Sequence, residues 1–392
     1  MGKHRVSCTR RSFLRSCAAV AGVFLLGEGS SRLGAAGAGA GRRSPSPLRI
    51  GVSLSLSGVW ALDGRNVGLA YAYWAEQVNG TGGLLGRPVE LVVLDDGSSA
   101  DRCADNYRRL IDVEPCDLFL GPYGSVPTSG ALPVLEEAGR PCAIPIAASP
   151  ALWARPRRWC VQVTPNADRY MDGPLMEAAG RGARTVALLH LDSGFTNDIA
   201  AGTRRKAQEL GLELVAQASY GDENTDFEAL VAPVVDRDPD IFIGGGYIRS
   251  AVGLTRAVHR LGLSPRLMCW MEGPHRWPWP QIMGEEGNYV ATTGLWLPSL
   301  RTRDNAGFVQ GFRARYGAEY PMDILSGALT VQTAAGYAAA LVTQRAVEAA
   351  GSFQPGAVRD ALFGLRTETP YGPFAVNGRG AQAGKGVIAS QW

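Results

Sequence analysis

The feature that most narrows the fold of this chain is a strand, turn and helix pattern that repeats from residue 48 and starts afresh near residue 184. Residues 48–54 form an apolar run closed by the Ser57-Gly58 turn. Beyond it Val67, Leu69, Ala70, Tyr73, Trp74 and Val78 recur at helical spacing and predict a helix over 66–78. Glycine-rich residues 80–88 break it, and the order repeats: strand 89–94, helix 101–111, strand 117–120, helix from near Thr128, strand 142–146. The second series has strands at 184–190, 213–217, 240–244, 267–271 and 289–293, with helices at 198–210, 225–235 and 251–261. Alternation with short connections requires parallel sheets covered on both faces, because each crossover helix carries the chain back over the sheet.

Two such series predict two α/β, Rossmann-like lobes, each with a parallel central sheet. Length agrees, since about 350 residues beyond the N-terminal region exceed what one core comfortably holds. Helices over 304–316 and 324–350 return to the first lobe, and strands near Phe374 and Val387 finish the second. The expected division is residues 48–163 with 296–370 in lobe 1 and 164–295 with 371–392 in lobe 2. Three crossover segments then join the lobes. In open α/β sheets ligands bind beyond the carboxyl ends of the strands. The loops at 57–64, 121–128, 146–152, 192–197, 244–249 and 271–275 are therefore the expected walls of a cleft.

The N-terminus carries Thr9-Arg10-Arg11-Ser12-Phe13-Leu14-Arg15, an apolar run from Cys17 to Leu26, and then small residues. That order is a signal peptide over residues 1–40, similar to a twin-arginine signal, with cleavage expected after Ala36, Ala38 or Ala40. Residues 41–47 are a linker. About ten apolar residues are too few to span a bilayer, which needs roughly twenty. Export makes the expected location periplasmic or secreted.

The chain has 39 basic and 36 acidic residues; residues 1–40 hold six of the former and one of the latter, leaving 33 against 35. Without a basic block, nucleic acid is not an expected partner. Of seven cysteines, Cys103, Cys116, Cys142, Cys160 and Cys269 remain after cleavage, and Cys103 with Cys116 is the expected disulfide in an oxidising compartment. His190, His259 and His275 are far apart and no Cys-x-x-Cys occurs, so no metal site of ordinary spacing and no cofactor is expected. No Gly-x-Ser-x-Gly elbow signals a nucleophilic serine. Gly244-Gly245-Gly246 lacks the rest of a dinucleotide or phosphate motif. The neighbours Asp95 and Asp96 point apart rather than pairing as acid and base. A non-catalytic protein is expected, with an exported hydrolase as the alternative from another class.

Four stretches stand out: the turn and strand from Asn79-Gly80-Thr81-Gly82-Gly83-Leu84-Leu85-Gly86-Arg87-Pro88 to Asp95-Asp96, then Asp226-Phe227, then 240–247 ending Gly246-Tyr247, then Tyr371-Gly372-Pro373-Phe374. Taken in this order they resemble the type I periplasmic binding proteins of the branched-chain amino-acid group. The resemblance implies two lobes that close by a hinge on a small polar ligand, an amino acid or related amide or carboxylate. It also implies delivery to an ABC permease in the cytoplasmic membrane by a monomeric carrier. A sensor subunit for a membrane receptor is the alternative. It places Ser125 and the backbone of Ala147 and Ala148 at a ligand carboxylate, and Tyr247 and Glu272 at its ammonium end. Amino-acid binders usually have threonine where this chain has Ala148, and Ser149 next door offers a hydroxyl in a different direction.

Other candidates rest on position alone. Helix starts near Ser125 and Ser149 present backbone N–H groups that suit an anion. Asp63 either meets a cationic group in the cleft or caps the following helix, and the cap is favoured. Trp60 and Phe195 either stack on ligand or anchor lobe packing. Trp270, Trp277 and Trp279 offer an aromatic wall or a loop pinned by its own rings. Glu272 among them needs a partner, a ligand ammonium or Arg276.

Overall fold

The computed structural model describes residues 45–274, 278–317 and 329–391. The predicted signal and most of the linker, together with His275, Arg276 and Trp277, lie outside the described residues.

The first sheet has five parallel strands in the order β2-β1-β3-β4-β5: β1 Leu48–Leu54, β2 Val89–Asp95, β3 Leu118–Leu120, β4 Cys142–Ile144 and β5 Cys160–Gln162. Between them lie α1 Ala61–Gly80, α2 Ala100–Asp112 and α3 Ser125–Glu137. β1 is inside the sheet and buried along nearly its whole length, whereas edge strand β2 is half-exposed, as burial on two faces against one demands.

The second sheet runs β13-β10-β9-β8-β6-β7: β6 Thr185–Leu191, β7 Glu213–Tyr220, β8 Ile241–Gly245, β9 Leu267–Trp270, β10 Ala291–Gly294 and β13 Ile388–Gln391. All pair in parallel except β13, which is antiparallel to β10. Its helices are α4 Asp172–Gly180, α5 Gly194–Glu209, α6 Phe227–Val235, α7 Ile248–Arg260 and α8 Pro278–Met283. The fold is two α/β lobes with parallel sheets, as the alternation required.

The chain then returns to the first sheet. α9 Asn305–Tyr316 and α10 Val331–Ala350 pack on α1 through a cluster in which Tyr73 meets Phe308, Phe312, Tyr316 and Tyr337 with ring centroids 5.5–6.3 Å apart. Arg315 binds the Glu76 carboxylate through two nitrogens at 2.8 and 2.9 Å. α11 Pro355–Gly364 follows. β11 Thr367–Thr369 and β12 Gly372–Phe374 then form a two-stranded antiparallel ribbon. The strand near Phe374, expected in the second sheet, is therefore in neither large sheet. Residues 379–382 run along the free edge of β5: Gln162 N–H donates to Gly380 O at 2.8 Å, and Gln382 Nε2 donates to Val163 O at 2.8 Å. Only β13 joins the second sheet.

The crossovers are tied sideways. Thr164 Oγ1 and Tyr371 Oη share a hydrogen bond of 3.0 Å, and Trp296 Nε1 donates to Asn305 Oδ1 at 2.9 Å and Pro370 O at 3.1 Å. Lys385, only 8% exposed, donates to Tyr371 O at 2.7 Å and lies over the Tyr371 ring at 4.3 Å.

All five cysteines in the described residues are free and buried, which corrects the expected Cys103–Cys116 disulfide. Cys103 is near the start of α2 and Cys116 lies beyond its end. Cys116 N–H donates to Leu110 O at 3.0 Å, and the seven helical residues from Cys103 to Leu110 rise about 10 Å. A disulfide tolerates a Cα separation of only about 7 Å. Among the described residues no helix is long and apolar enough to cross a membrane.

Candidate functional site

The strand ends of the first lobe are built by its acids and glycines. Asp96, buried, accepts from Ser55 Oγ at 2.7 Å, Ser53 Oγ at 3.2 Å and Ser98 N–H at 2.8 Å. Asp95 accepts from Leu56 N–H, Ser57 N–H, Ser57 Oγ and Gly97 N–H. Burial raises the Asp96 carboxyl against the pull of its serine donors. Burial also acts to raise Asp95, but its four donors outweigh that and hold it low. The two acids accept from different donors, and both serve to fix the loop after β1.

That loop leads into α1, which begins at Ala61, five residues before the predicted start. Asp63 is consequently not its cap. It sits in the first turn and accepts from Tyr123 Oη at 3.1 Å, so the favoured capping interpretation gives way to a contact with the loop after β3. Trp60 precedes the helix, half-buried, and its N–H donates to Ser98 Oγ at 3.1 Å.

Gly124 turns the chain into α3 with φ +87°, a left-handed conformation that glycine adopts without strain. Its N–H donates to Ile146 O at 2.8 Å, which draws the loop after β4 against the start of α3. Ser125 opens the helix, and its Oγ accepts from Ser149 N–H at 3.2 Å. The expected convergence of Ser125 with the 146–149 segment is present. Ala147 and Ala148 are buried with internally used carbonyls: Ala147 O accepts from Trp153 Nε1 and Gln162 Nε2, and Ala148 O from Ala167 N–H.

On α5 the half-buried Asp198, which the sequence did not mark, has its carboxyl raised by burial above all, with the Ser149 hydroxyl opposing and Asp168 adding to the rise. Tyr170 is buried, and burial first of all raises its phenol; Tyr371, Glu272 and Tyr123 add to the rise and the Thr164 hydroxyl opposes it. Phe195 packs edge-on against Tyr170 at 5.7 Å and 81°, so it is a packing anchor in this state. Glu272 is half-buried and thus belongs to the same neighbourhood as Tyr170 and Tyr123. Tyr247 caps α7 by position and its ring is 47% exposed, standing outside the core.

The expected aromatic wall does not include Trp270 or Trp279, both of which are buried in the core of the second lobe. Trp270 packs edge-on against Phe242 at 5.5 Å and its Nε1–H donates to Thr255 Oγ1 at 2.7 Å. Its ring lies on Gly244, where a Cβ would come within 2.0 Å of it, and a Cβ at Gly245 would meet Met271 Sδ at 2.5 Å. The triple glycine thus makes room for neighbouring side chains. Among the described residues no group of three or more His, Cys, Asp or Glu is placed to hold a metal.

Two α/β lobes whose strand-end loops carry Tyr123, Ser125 and Ser149 on one and Tyr247 and Glu272 on the other define a two-lobed solute-binding protein. The chain belongs to the periplasmic binding protein family, whose model matches residues 47–392. A curated relative, the leucine-, isoleucine-, valine-, threonine- and alanine-binding protein of Pseudomonas aeruginosa, is 24% identical over 310 residues, 78% of this chain and 79% of that protein. Among solved structures, a leucine-binding protein from Thermotoga maritima superposes with a TM-score of 0.70 at 23% identity, covering 88% of this chain and 95% of that one. A solute-binding protein of an ABC transporter from R. palustris, in complex with 4-hydroxybenzoate, gives 0.71 at 20% identity over 88% and 92%. The fold therefore accommodates more than one ligand chemistry.

Proposed function

We propose that this chain is an exported, non-catalytic carrier that captures a small polar solute, an amino acid or a related amide or carboxylate, between its lobes. It then delivers that solute as a monomer to an ABC permease. In this reading residues 1–40 are a twin-arginine signal removed on export to the periplasm. The lobes are 48–163 with 296–370 and 164–295 with 371–392, and residues 379–382 lie along the edge of the first. Ser125, Ser149 and the backbone at Ala147 and Ala148 make the first contacts. Tyr247, Glu272 and Asp63 supply polar groups on closure, with Trp60 and Phe195 at the margins. A ligand shifts the balance between open and closed forms only by its preference for the closed one.

The observation that carries this reading is the corner at the carboxyl end of the first sheet, where Gly124 N–H donates to Ile146 O at 2.8 Å and Ser149 N–H donates to Ser125 Oγ at 3.2 Å. The relative from Pseudomonas aeruginosa, by its name an apolar amino-acid binder, supports the ligand class. Native mass spectrometry of protein purified without dialysis, followed by a thermal-shift panel of amino acids, amides and aromatic acids, tests it. One retained solute that also raises the melting temperature is the expected result. Turnover of the solute, or no shift with any member of the panel, would refute it.

A further inference from the structure

Resting on the reading that solutes bind at the corner made by Ser125 and Ser149, one buried amide joins that corner to the crossovers and the tail. Gln162 ends β5, opposite Ile144 of β4, and is fully buried. A primary amide taken out of water requires partners for two N–H groups and a carbonyl oxygen. Here they come from three separate parts of the chain. Nε2 donates to Ala147 O at 2.9 Å, in the loop after β4, and to Asn166 Oδ1 at 2.9 Å, in the crossover beyond β5. Oε1 accepts from Gln382 N–H at 3.1 Å, in the C-terminal tail.

The same three segments are pinned again on either side. Ala148 O accepts from Ala167 N–H at 2.7 Å, and the next residue, Ser149, donates its N–H to Ser125 Oγ. Gln382 Nε2 donates to Val163 O at 2.8 Å, while its Oε1 accepts from Gly384 N–H at 2.8 Å. A short way along the tail, Ile388 pairs with Gly294 of the second sheet. A hydrogen-bonded path thus runs from the corner through Gln162 to a tail moored in the other lobe.

We propose that Gln162 is a positioning residue for solute binding: without touching the solute, it sets the backbone of Ala147 and Ala148 and couples that loop to the tail that crosses to the second lobe. The place requires an amide. A carboxylate has no N–H for Ala147 O, and an aliphatic side chain leaves Ala147 O, Asn166 Oδ1 and Gln382 N–H without this partner in a buried setting. Because the tail is fixed to both sheets, a swing of the second lobe pulls on the corner through Gln382 and Gln162. A solute that orders the corner resists the same pull from the other end, as linkage demands.

Hydrogen exchange followed by mass spectrometry in the solute-free protein tests this with Gln162→Met, which keeps the length and removes the amide. Exchange over 146–149 and over 382–385 is expected to rise about tenfold or more, with a smaller rise or none in β1. A merely structural residue would raise exchange in β1 by the same factor; that result, or no rise at 146–149, overturns the proposal. Gln382→Met cuts the path on its half-buried tail side and decides alone if Gln162→Met does not fold. It is expected to raise exchange at 146–149 severalfold and to add nothing when combined with Gln162→Met. A rise confined to the tail overturns the proposal. In calorimetry, L-leucine and 4-hydroxybenzoate are the probes, and whichever binds the wild type is expected to bind Gln162→Met about tenfold more weakly. Unchanged affinity overturns the proposal. If neither probe binds the wild type, the failure lies with the solute proposed above, and exchange in the solute-free protein still decides the role of Gln162.

Discussion

Lys385 offers a direct measurement of what burying a charge beside Tyr371 costs. Its side chain is 8% exposed, with its ammonium on Tyr371 O and over the Tyr371 ring. Burial pushes the group down from 10.5 to about 8, with Glu368 opposing the shift. Below pH 8 the lysine is charged in both the folded and unfolded chain, and folding bears the whole desolvation penalty. Between pH 8 and 10.5 the unfolded chain still holds the proton that the folded protein has released, so the stability contributed by this residue rises with pH. The difference between those two values corresponds to about 3 kcal/mol. Other groups titrate over the same range, the buried cysteines and tyrosines among them, so the quantity to measure is a difference. Lys385→Met fills similar space without the charge. Urea unfolding of the wild type and the variant at half-unit steps from pH 7 to 10.5 should show the wild type gaining on the variant by roughly 3 kcal/mol. Two curves that stay parallel across that range would refute the argument.

Other outcomes follow from the site and the core. Glu272→Gln should weaken a ligand bearing an ammonium by about 2 kcal/mol in calorimetry, and an unchanged affinity removes Glu272 from the site. Gly124→Ala imposes a side chain at φ +87° and should lower stability by about 1 kcal/mol; no change in thermal unfolding would contradict the assigned turn. Asp96→Ala leaves Ser53 and Ser55 without their shared acceptor and should destabilise by about 1–3 kcal/mol, read by urea midpoint. Protein lacking residues 1–40 should give no fast thiol reaction when native, and five thiols per chain in denaturant; fewer than five would reinstate a disulfide.

Much of the architecture was legible because each long strand is a continuous apolar run bounded by turn residues. β1 matches its predicted span, and β2 extends only one residue beyond it, to Asp95. β5 and α4 went unread for local reasons. β5 is three residues, Cys160-Val161-Gln162, too short for a period. α4 contains Gly173-Pro174, which reads as a break although proline is tolerated in a first helical turn. Helix starts were placed late at α1, α3, α5 and α7, because the apolar periodicity sets in only after the first turn. For the site, the Ser125 and Ser149 corner was legible from loop positions at strand ends. Tyr123 and Tyr170 were not, since each acquires its place from a partner elsewhere in the chain, Asp63 for the first and Phe195 for the second. Trp270 misled because a tryptophan at a strand end looks like a rim residue until the glycine beside it on the next strand is seen to lodge its ring.

The C-terminal tail bears on how far the protein can open. Gln382 is fastened to the edge of one sheet and Ile388 to the other. Only five residues lie between these moorings, and chain geometry limits six virtual bonds to about 20 Å even at full stretch. The tail is thus a leash of fixed length on the swing of the two halves, and any yawn wider than that length must first strip it from one of them.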